Sequence, residues 1–272
     1  MKNQLFLLFK TIIFSCLLIA FSRISFSQVG CFTKNDLLEY TREWKGERFP
    51  DGRPKVSDEI LEQMKKVPIT LAWSILCGEG YNCQYDDSEW KMVHPDQTIV
   101  GRVLTVKYMP ERPGVNAVNE QRGKKLGSPN SLYSWGVEML QEGDIYVADG
   151  FGKKITGYIG DNYAGAIYAK SHNAAIINGS VRDLEGIKNI TGFNALFRNW
   201  YPAGASNVML MGVNVPVLIG SVTVMPGDVV LAKREGLLFI PPHLAEKIVK
   251  SAEINSLRDK FGIQRMIEKK IL

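Results

Sequence analysis

The sequence predicts an α/β fold, and three observations carry that expectation. Apolar runs with strand-like alternation, such as residues 99–107 (IVGRVLTVK) and 140–150 (LQEGDIYVADG), are bounded by Gly-Asp and Asp-Gly turns. Stretches with helical spacing lie between and around them, notably at 57–64 and beyond residue 243. The 272 residues suffice for one large domain, or a domain with extensions, and contain no internal repeat and no low-complexity tract.

Residues 1–27 read as a signal peptide. Lys2 and Lys10 flank a run of Leu, Ile and Phe, and Ser25-Phe26-Ser27 supplies small residues for cleavage before Gln28. An uncleaved anchor is the alternative, although the run at 11–21 is short for a bilayer. A lipoprotein is the less favoured option, because Gln28 disrupts the apolar approach to Cys31. An exported, periplasmic or secreted protein with no stable membrane span after cleavage is therefore expected.

Charge then changes its meaning. The whole chain carries net +5, but Lys2, Lys10 and Arg23 leave with the leader, so 30 basic residues face 28 acidic ones. That near balance gives no electrostatic ground for a nucleic-acid partner. Cys31, Cys77 and Cys83 remain, and an oxidising compartment would permit a Cys77–Cys83 bridge around the loop CGEGYNC. His94, His172 and His243 lack zinc-ligand spacing.

Three sections follow the leader. Residues 28–97 form an N-terminal helical part, with helical spacing at 37–44 and 57–64, Ser57 as a cap, a turn-rich connector at 44–54, and an apolar run at 67–76. Residues 98–242 form the α/β core. Its expected strands are 99–107, 140–150, 174–178, 193–197, 215–219, 222–224, 225–232 and 235–242, with a loop at 109–129. Residues 243–272 are C-terminal helices, at 243–250 and 253–270, amphipathic enough to pack on the core or on a neighbouring subunit.

Residues 160–185 (GDNYAGAIYAKSHNAAIINGSVRDLE) concentrate the chemistry. A Gly-Asp-Asn turn opens a helix, with Asp161 expected at the N-cap, and a Gly-Ser turn after the next strand delivers Arg182 and Asp183. A helix N-terminus offers backbone donors and a positive dipole end to an anion. Arg182 brings a planar fork for a carboxylate, and Asp183 a hard oxygen ligand. The competing reading is a surface ion pair and a capped turn.

The same residues resemble the RraA-like family, which includes regulators of ribonuclease activity and class II 4-hydroxy-4-methyl-2-oxoglutarate aldolases. The family was often mislabelled as menaquinone methyltransferase. Its pattern places a Gly-rich helix start about twenty residues before an Arg-Asp pair, as Gly160-Asp161 precedes Arg182-Asp183 here. Residues 67–76, 99–107, 140–150, 225–232 and 235–242 resemble further family blocks, and Asn178-Gly179 stands where the family often has Asp-Gly.

The resemblance implies a swivelling-domain-like β/α core with added N- and C-terminal helices, assembled as a homotrimer or hexamer with sites between subunits. It implies a metal-dependent carbon–carbon lyase on a small oxo-acid, either an aldolase releasing pyruvate or an oxaloacetate decarboxylase. Asp183 would hold Mg2+ or Mn2+, Arg182 would bind the pyruvyl oxygens, and Asp161 would hold or deprotonate a water of the metal. Gly160 opens the substrate-binding turn, and the N–H groups of Asn162 and Tyr163 would receive the substrate carboxylate.

Two departures stand out. Gly186 occupies the place where the aldolases often carry an acid, with Glu185 one position earlier, and Lys233-Arg234 replace acids before the Glu235-Gly236 turn. Glu253 is a candidate for the acid that the aldolases take from a neighbouring subunit. The alternative function is a non-enzymatic binding or regulatory protein on the same scaffold. A methyltransferase ranks third, since no Gly-rich nucleotide loop lies between a strand and a helix.

Overall fold

The computed structural model describes residues 32–125, 127–128 and 131–268. The leader, Cys16 and Cys31 lie outside the described residues, as do the last residues of the C-terminal section.

The N-terminal part is helical. Helix α1 (Lys34–Tyr40) starts at a capping box in which Thr33 and Asp36 satisfy each other's backbone N–H groups. Helix α2 (Asp58–Met64) is capped by Ser57, whose side chain accepts from the Ile60 N–H, and α3 covers Ile69–Gly78. Both pack against the first half of the last helix, α8 (Pro242–Ile267), around Leu61, Met64, Leu76, Leu244 and Ile248. The two C-terminal segments expected from sequence are one continuous helix, because Ser251 and Ala252 at the junction contain no breaker.

The core begins with two very short strands, β1 (Tyr85–Asp86) and β2 (Lys91–Met92). Then come β3 (Ile99–Pro110), helices α4 (Pro113–Lys125) and α5 (Trp135–Glu138), and strands β4 (Asp144–Asp149) and β5 (Gly157–Ile159). Helix α6 (Asp161–Ser171) leads into β6 (Ala175–Val181), which is followed by α7 (Leu184–Lys188) and β7 (Ala195–Trp200). Strands β8 (Val208–Val213), β9 (Val217–Ile219), β10 (Val222–Val224), β11 (Val229–Lys233) and β12 (Gly236–Ile240) complete the order.

Several other elements differ from the sequence expectation: β1 and β2 lie inside the part expected to be helical, and β5, α5 and α7 have no counterpart in it. The loop expected at 109–129 contains α4, whose polar sequence shows no apolar period. Pro113 starts it, and Arg122, Lys124 and Lys125 sit in its last turn, favourable to the helix dipole. Strand β8 pairs with the second half of β3 and has no counterpart among the expected strands.

The main sheet runs β1-β12-β11-β3-β4-β6-β7-β2, with β3, β4, β6 and β7 mutually parallel. Laid flat, eight strands would separate the outer pair by roughly 34 Å. Residues 87–90 can bridge at most about 18 Å between β1 and β2. The sheet must therefore roll up. Its seam is tied by Arg198 of β7, which donates to Asp86 of β1 at 2.9 Å.

Rolling creates an inside and an outside. Inside, Val103, Ile145, Val147, Ile176, Leu196 and Phe239 pack with Val217, Ile219, Val222 and Val224 of the β9–β10 hairpin. Outside, α5, α6 and α7 cover a second apolar layer that includes Ile177, Val181, Ala164 and Ile167. Among the described residues no helix is long and apolar enough to cross a membrane.

Candidate functional site

The first predicted residues meet where β5 and β6 end. Strand β5 lies beside β6 and hands the chain into α6, so the start of α6 and the exit of β6 are neighbours. The Arg182 N–H donates to the Ile159 carbonyl at 2.9 Å and locks the two exits together.

Gly160 caps α6, and Asp161 is its first residue rather than its cap. The difference has a chemical result. Asp161 Oδ1 accepts from the Asn162 N–H at 2.7 Å, so one of the two donors expected to meet a substrate carboxylate is taken by the chain itself. The Tyr163 N–H is the other member of that pair.

Gly160 is glycine for lack of room. A Cβ there would stand 2.6 Å from Asp183 Oδ2 and 3.1 Å from Arg182 Cζ. Gly186 plays the same part for Asp161, since a Cβ there would lie 2.6 Å from Asp161 Cβ and 2.7 Å from its Oδ2. Two absent side chains thus let Asp161, Arg182 and Asp183 crowd one helix start. The Gly186 departure from the aldolase pattern has a local reason here.

Arg182 Nη1 and Asp183 Oδ2 are 2.6 Å apart, with side chains 37% and 40% exposed. Such a pair contributes little to stability, on the order of 0–1 kcal/mol. Asp183 stands at the N-cap of α7, yet its carboxylate makes no capping bond. Its backbone is left-handed, φ 53°, an uncommon state for a non-glycine residue and one that concentrates at functional sites. One carboxylate oxygen is engaged with Arg182, and the other is free to face solvent or a ligand.

Behind the pair lies a buried aromatic wall. Tyr163 Oη donates to the Tyr133 carbonyl at 2.9 Å, and Tyr133 Oη donates to the Tyr158 carbonyl at 2.6 Å. Tyr108 and Tyr146 hydroxyls are 2.8 Å apart. Burial pushes the Tyr163 phenol up to about 12 and lifts Tyr133, Tyr108 and Tyr146 well above the ordinary range. These phenols stay neutral and shape the site; they do not act as bases at neutral pH. The 201–207 loop forms the other edge, with the Gly157 N–H bonded to the Ala203 carbonyl and Thr156 Oγ1 to that of Gly204.

Other predicted contributors are scattered. Glu185 is exposed on α7, and Glu253 is exposed on α8, the helix that packs on α2 and α3. Cys77 and Cys83 are free thiols. Among the described residues no group of three His, Cys, Asp or Glu side chains is gathered as a metal site. The donors at hand are two carboxylates, Asp161 and Asp183, hard oxygens of the kind Mg2+ or Mn2+ takes while keeping several waters. They fit such an ion.

Sequence reasoning missed a second polar set at the mouth of the rolled sheet. Asp149 at the end of β4, Asn178 within β6 and Arg198 within β7 stand side by side. Asp149 and Asn178 read as turn residues, and nothing along the chain links them to Arg198.

Comparison with known proteins gives a consistent picture. Residues 54–239 match the RraA-like family model, described as Aldolase/RraA. The chain is 28% identical over 142 residues to a Thermus thermophilus protein named 4-hydroxy-4-methyl-2-oxoglutarate aldolase, covering 52% of this chain and 74% of that one. It is 29% identical over 122 residues to a putative aldolase of the same name from Ectopseudomonas mendocina, covering 44% and 74%. In structure it is similar to Streptomyces coelicolor RraAS2, described as an unusual member of the RNase ES inhibitor RraA protein family. There the TM-score is 0.65 and identity 22%, over 78% of this chain and 98% of that one, a likeness of fold. With the family model matched across most of the chain and the fold shared with RraAS2, this protein belongs to the RraA-like family.

Proposed function

We propose that the protein is a divalent-metal-dependent lyase acting on a small oxo-acid, either cleaving an aldol to release pyruvate or decarboxylating an oxaloacetate-like compound. One observation carries the reading: Gly160 and Gly186 bring Asp161, Arg182 and Asp183 together at the start of α6. The names of the aldolase relatives support it.

Asp183, with help from Asp161, would hold the ion. A bound divalent cation supplies a Lewis acid for the charge that develops on the keto oxygen. Arg182 binds the keto-acid's carboxylate and carbonyl oxygens through its fork and neutralises them. In the retro-aldol direction the substrate hydroxyl loses its proton, the carbon–carbon bond breaks, and its electron pair passes to the keto oxygen as a pyruvate enolate. A proton then returns to the enolate carbon. Asp161 Oδ2, the oxygen not spent on Asn162, would pass protons through a water. The tyrosine wall excludes solvent from one side. Decarboxylation uses the same enolate with carbon dioxide as the leaving group.

The reading extends to a homotrimer or hexamer in which a neighbour completes the site, and to an exported enzyme consuming a scavenged compound. The test is pyruvate release from purified protein given 4-hydroxy-4-methyl-2-oxoglutarate or oxaloacetate, with Mg2+ or Mn2+ and then with chelator. Turnover should require metal and vanish in Asp183→Ala and Arg182→Ala. Metal-independent turnover, or full turnover in either variant, would overturn the assignment.

A further inference from the structure

At the seam of the rolled sheet, a cavity of about 450 Å3 opens beyond the end of β4 and against the middle of β6 and the second half of β7. Its lining includes Asp149, Asn178, Arg198, Asn199, Glu89 and Leu218. The mouths of barrels and the carboxyl ends of parallel strands are where such folds accept ligands. This cavity is formed by different residues from those around Gly160.

The polar groups here are built in, not incidental. Asp86, Asp149 and Asn178 are 5%, 6% and 7% exposed. The Arg198 guanidinium stacks on Trp90 with 3.7 Å from Cζ to the ring centroid, donates through Nη2 to Asp86, and through Nε to Asn178 Oδ1 at 3.1 Å. Asn178 Nδ2 donates to Asp149 Oδ1 at 3.3 Å and to the Leu218 carbonyl at 3.2 Å, which pins the β9–β10 hairpin to the row.

The balance of this network is uneven. Arg198 already has Asp86 as its counter-ion. Asn178 has spent both ends of its amide. Asp149 Oδ1 receives Asn178 and the Phe151 N–H at 2.9 Å, whereas its Oδ2 takes no hydrogen bond and forms no ion pair among the described residues. Lys107, its register partner on β3, does not line the cavity and makes no ion pair with it. Phe151 holds a left-handed backbone, φ 44°, and Glu89 another, φ 52°; both line the opening.

Asp149 Oδ2 opens onto the cavity, so a cationic group that enters meets a carboxylate oxygen no protein donor holds. With Arg198 and Asp86 cancelling, Asp149 and Glu89 leave the cavity negative. Leu218 and Phe151 give it an apolar side, and Asn199 a polar one. We propose that the mouth of the rolled sheet is a second ligand site, selective for a small organic cation whose ammonium group meets Asp149 Oδ2 and whose alkyl part lies against Leu218 and Phe151.

Isothermal titration of the whole chain with putrescine, and with the neutral analogue 1,4-butanediol, in chelator-treated buffer tests this. Putrescine should bind one site per chain, about tenfold or more tighter than the diol. Asp149→Asn keeps the shape and removes the charge, and should weaken binding by about tenfold. Asn199→Leu, which fills the opening and leaves the Asp149–Asn178–Arg198–Asp86 network intact, should do the same and covers the case in which Asp149→Asn fails to fold. Asp183→Ala should leave putrescine binding unchanged, which separates this site from the proposed lyase site. No saturable binding, equal binding of the diol, indifference to the mouth variants, or loss in Asp183→Ala would each overturn the proposal.

Discussion

Arginine and aspartate meet at both ends of the parallel strands, with opposite consequences. At the start of β4, Arg53 and Asp144 are fully buried and 2.9 Å apart. Arg102, 2% exposed, donates to the Val56 and Glu142 carbonyls and to Asp58. Each charge there has an opposite charge beside it, although Arg53 Nη2, Arg102 Nε and Asp144 Oδ1 carry no hydrogen bond, and Phe49 lies against both guanidiniums. At the exit of β6, Arg182 and Asp183 are more than a third exposed, Asp183 is backbone-strained, and one of its carboxylate oxygens is idle. The same two side chains clamp the fold where they are sealed from water among paired charges and are left available for chemistry where they are open to solvent.

The largest expected effect breaks the buried end. Asp144→Ala would remove the buried carboxylate between Arg53 and Arg102, leaving them Asp51 and Asp58 alone, and should cost about 3–5 kcal/mol, read by denaturant unfolding. Asp183→Ala should leave unfolding midpoints nearly unchanged while lowering turnover by about 10²–10³-fold. If Asp183→Ala destabilises as much as Asp144→Ala does, the contrast between the two ends fails.

Asp228 sharpens the comparison, because it is a buried carboxylate without an arginine. Burial pushes its carboxyl up to about 7, partly offset by the Met225 N–H at 2.8 Å. A carboxyl raised in the folded state binds its proton more tightly there than in the unfolded chain. Its contribution to stability is therefore full below about pH 4 and is lost as pH rises to about 7. The loss should be on the order of 2–4 kcal/mol. Asp228→Asn should flatten that part of the stability–pH curve; an unchanged curve would remove Asp228 as its source.

The smallest effect probes the crowding at the open end. In Gly160→Ala the new methyl must displace Asp183 or Arg182, since its Cβ would lie 2.6 Å from the carboxylate oxygen. A displacement of that size should lower kcat/KM by about 10–100-fold with the fold intact. Gly186→Ala should act in the same direction through Asp161, and activity unchanged from the parent in both variants would show that the tight packing has no catalytic role.

Much of this was legible from sequence. Alternating runs marked β3, β4, β11 and β12, and the interval from Gly160-Asp161 to Arg182-Asp183 marked residues that do come together. Helix α4 was hidden because its stability comes from a few contacts, such as Asn119 with the Leu210 carbonyl, and not from an apolar stripe. The roll of the sheet was hidden because β1 and β2 are two residues each, too short to leave any period. The polar mouth was hidden for the same reason at larger scale: Asp86 and Arg198 become neighbours only after the seam closes.

That seam also bears on how the chain reaches its native state. Tyr85 pairs with Leu238, and Lys91 with Phe197. One short segment therefore waits for partners made more than a hundred residues later, a contact of very high order that is intrinsically slow to form. During synthesis the parallel strands can assemble while residues 85–92 remain unpaired, and the edges of β12 and β7 stay open to other chains until that segment arrives. Slow closure of this strap makes the interval just before it the period of greatest exposure to aggregation.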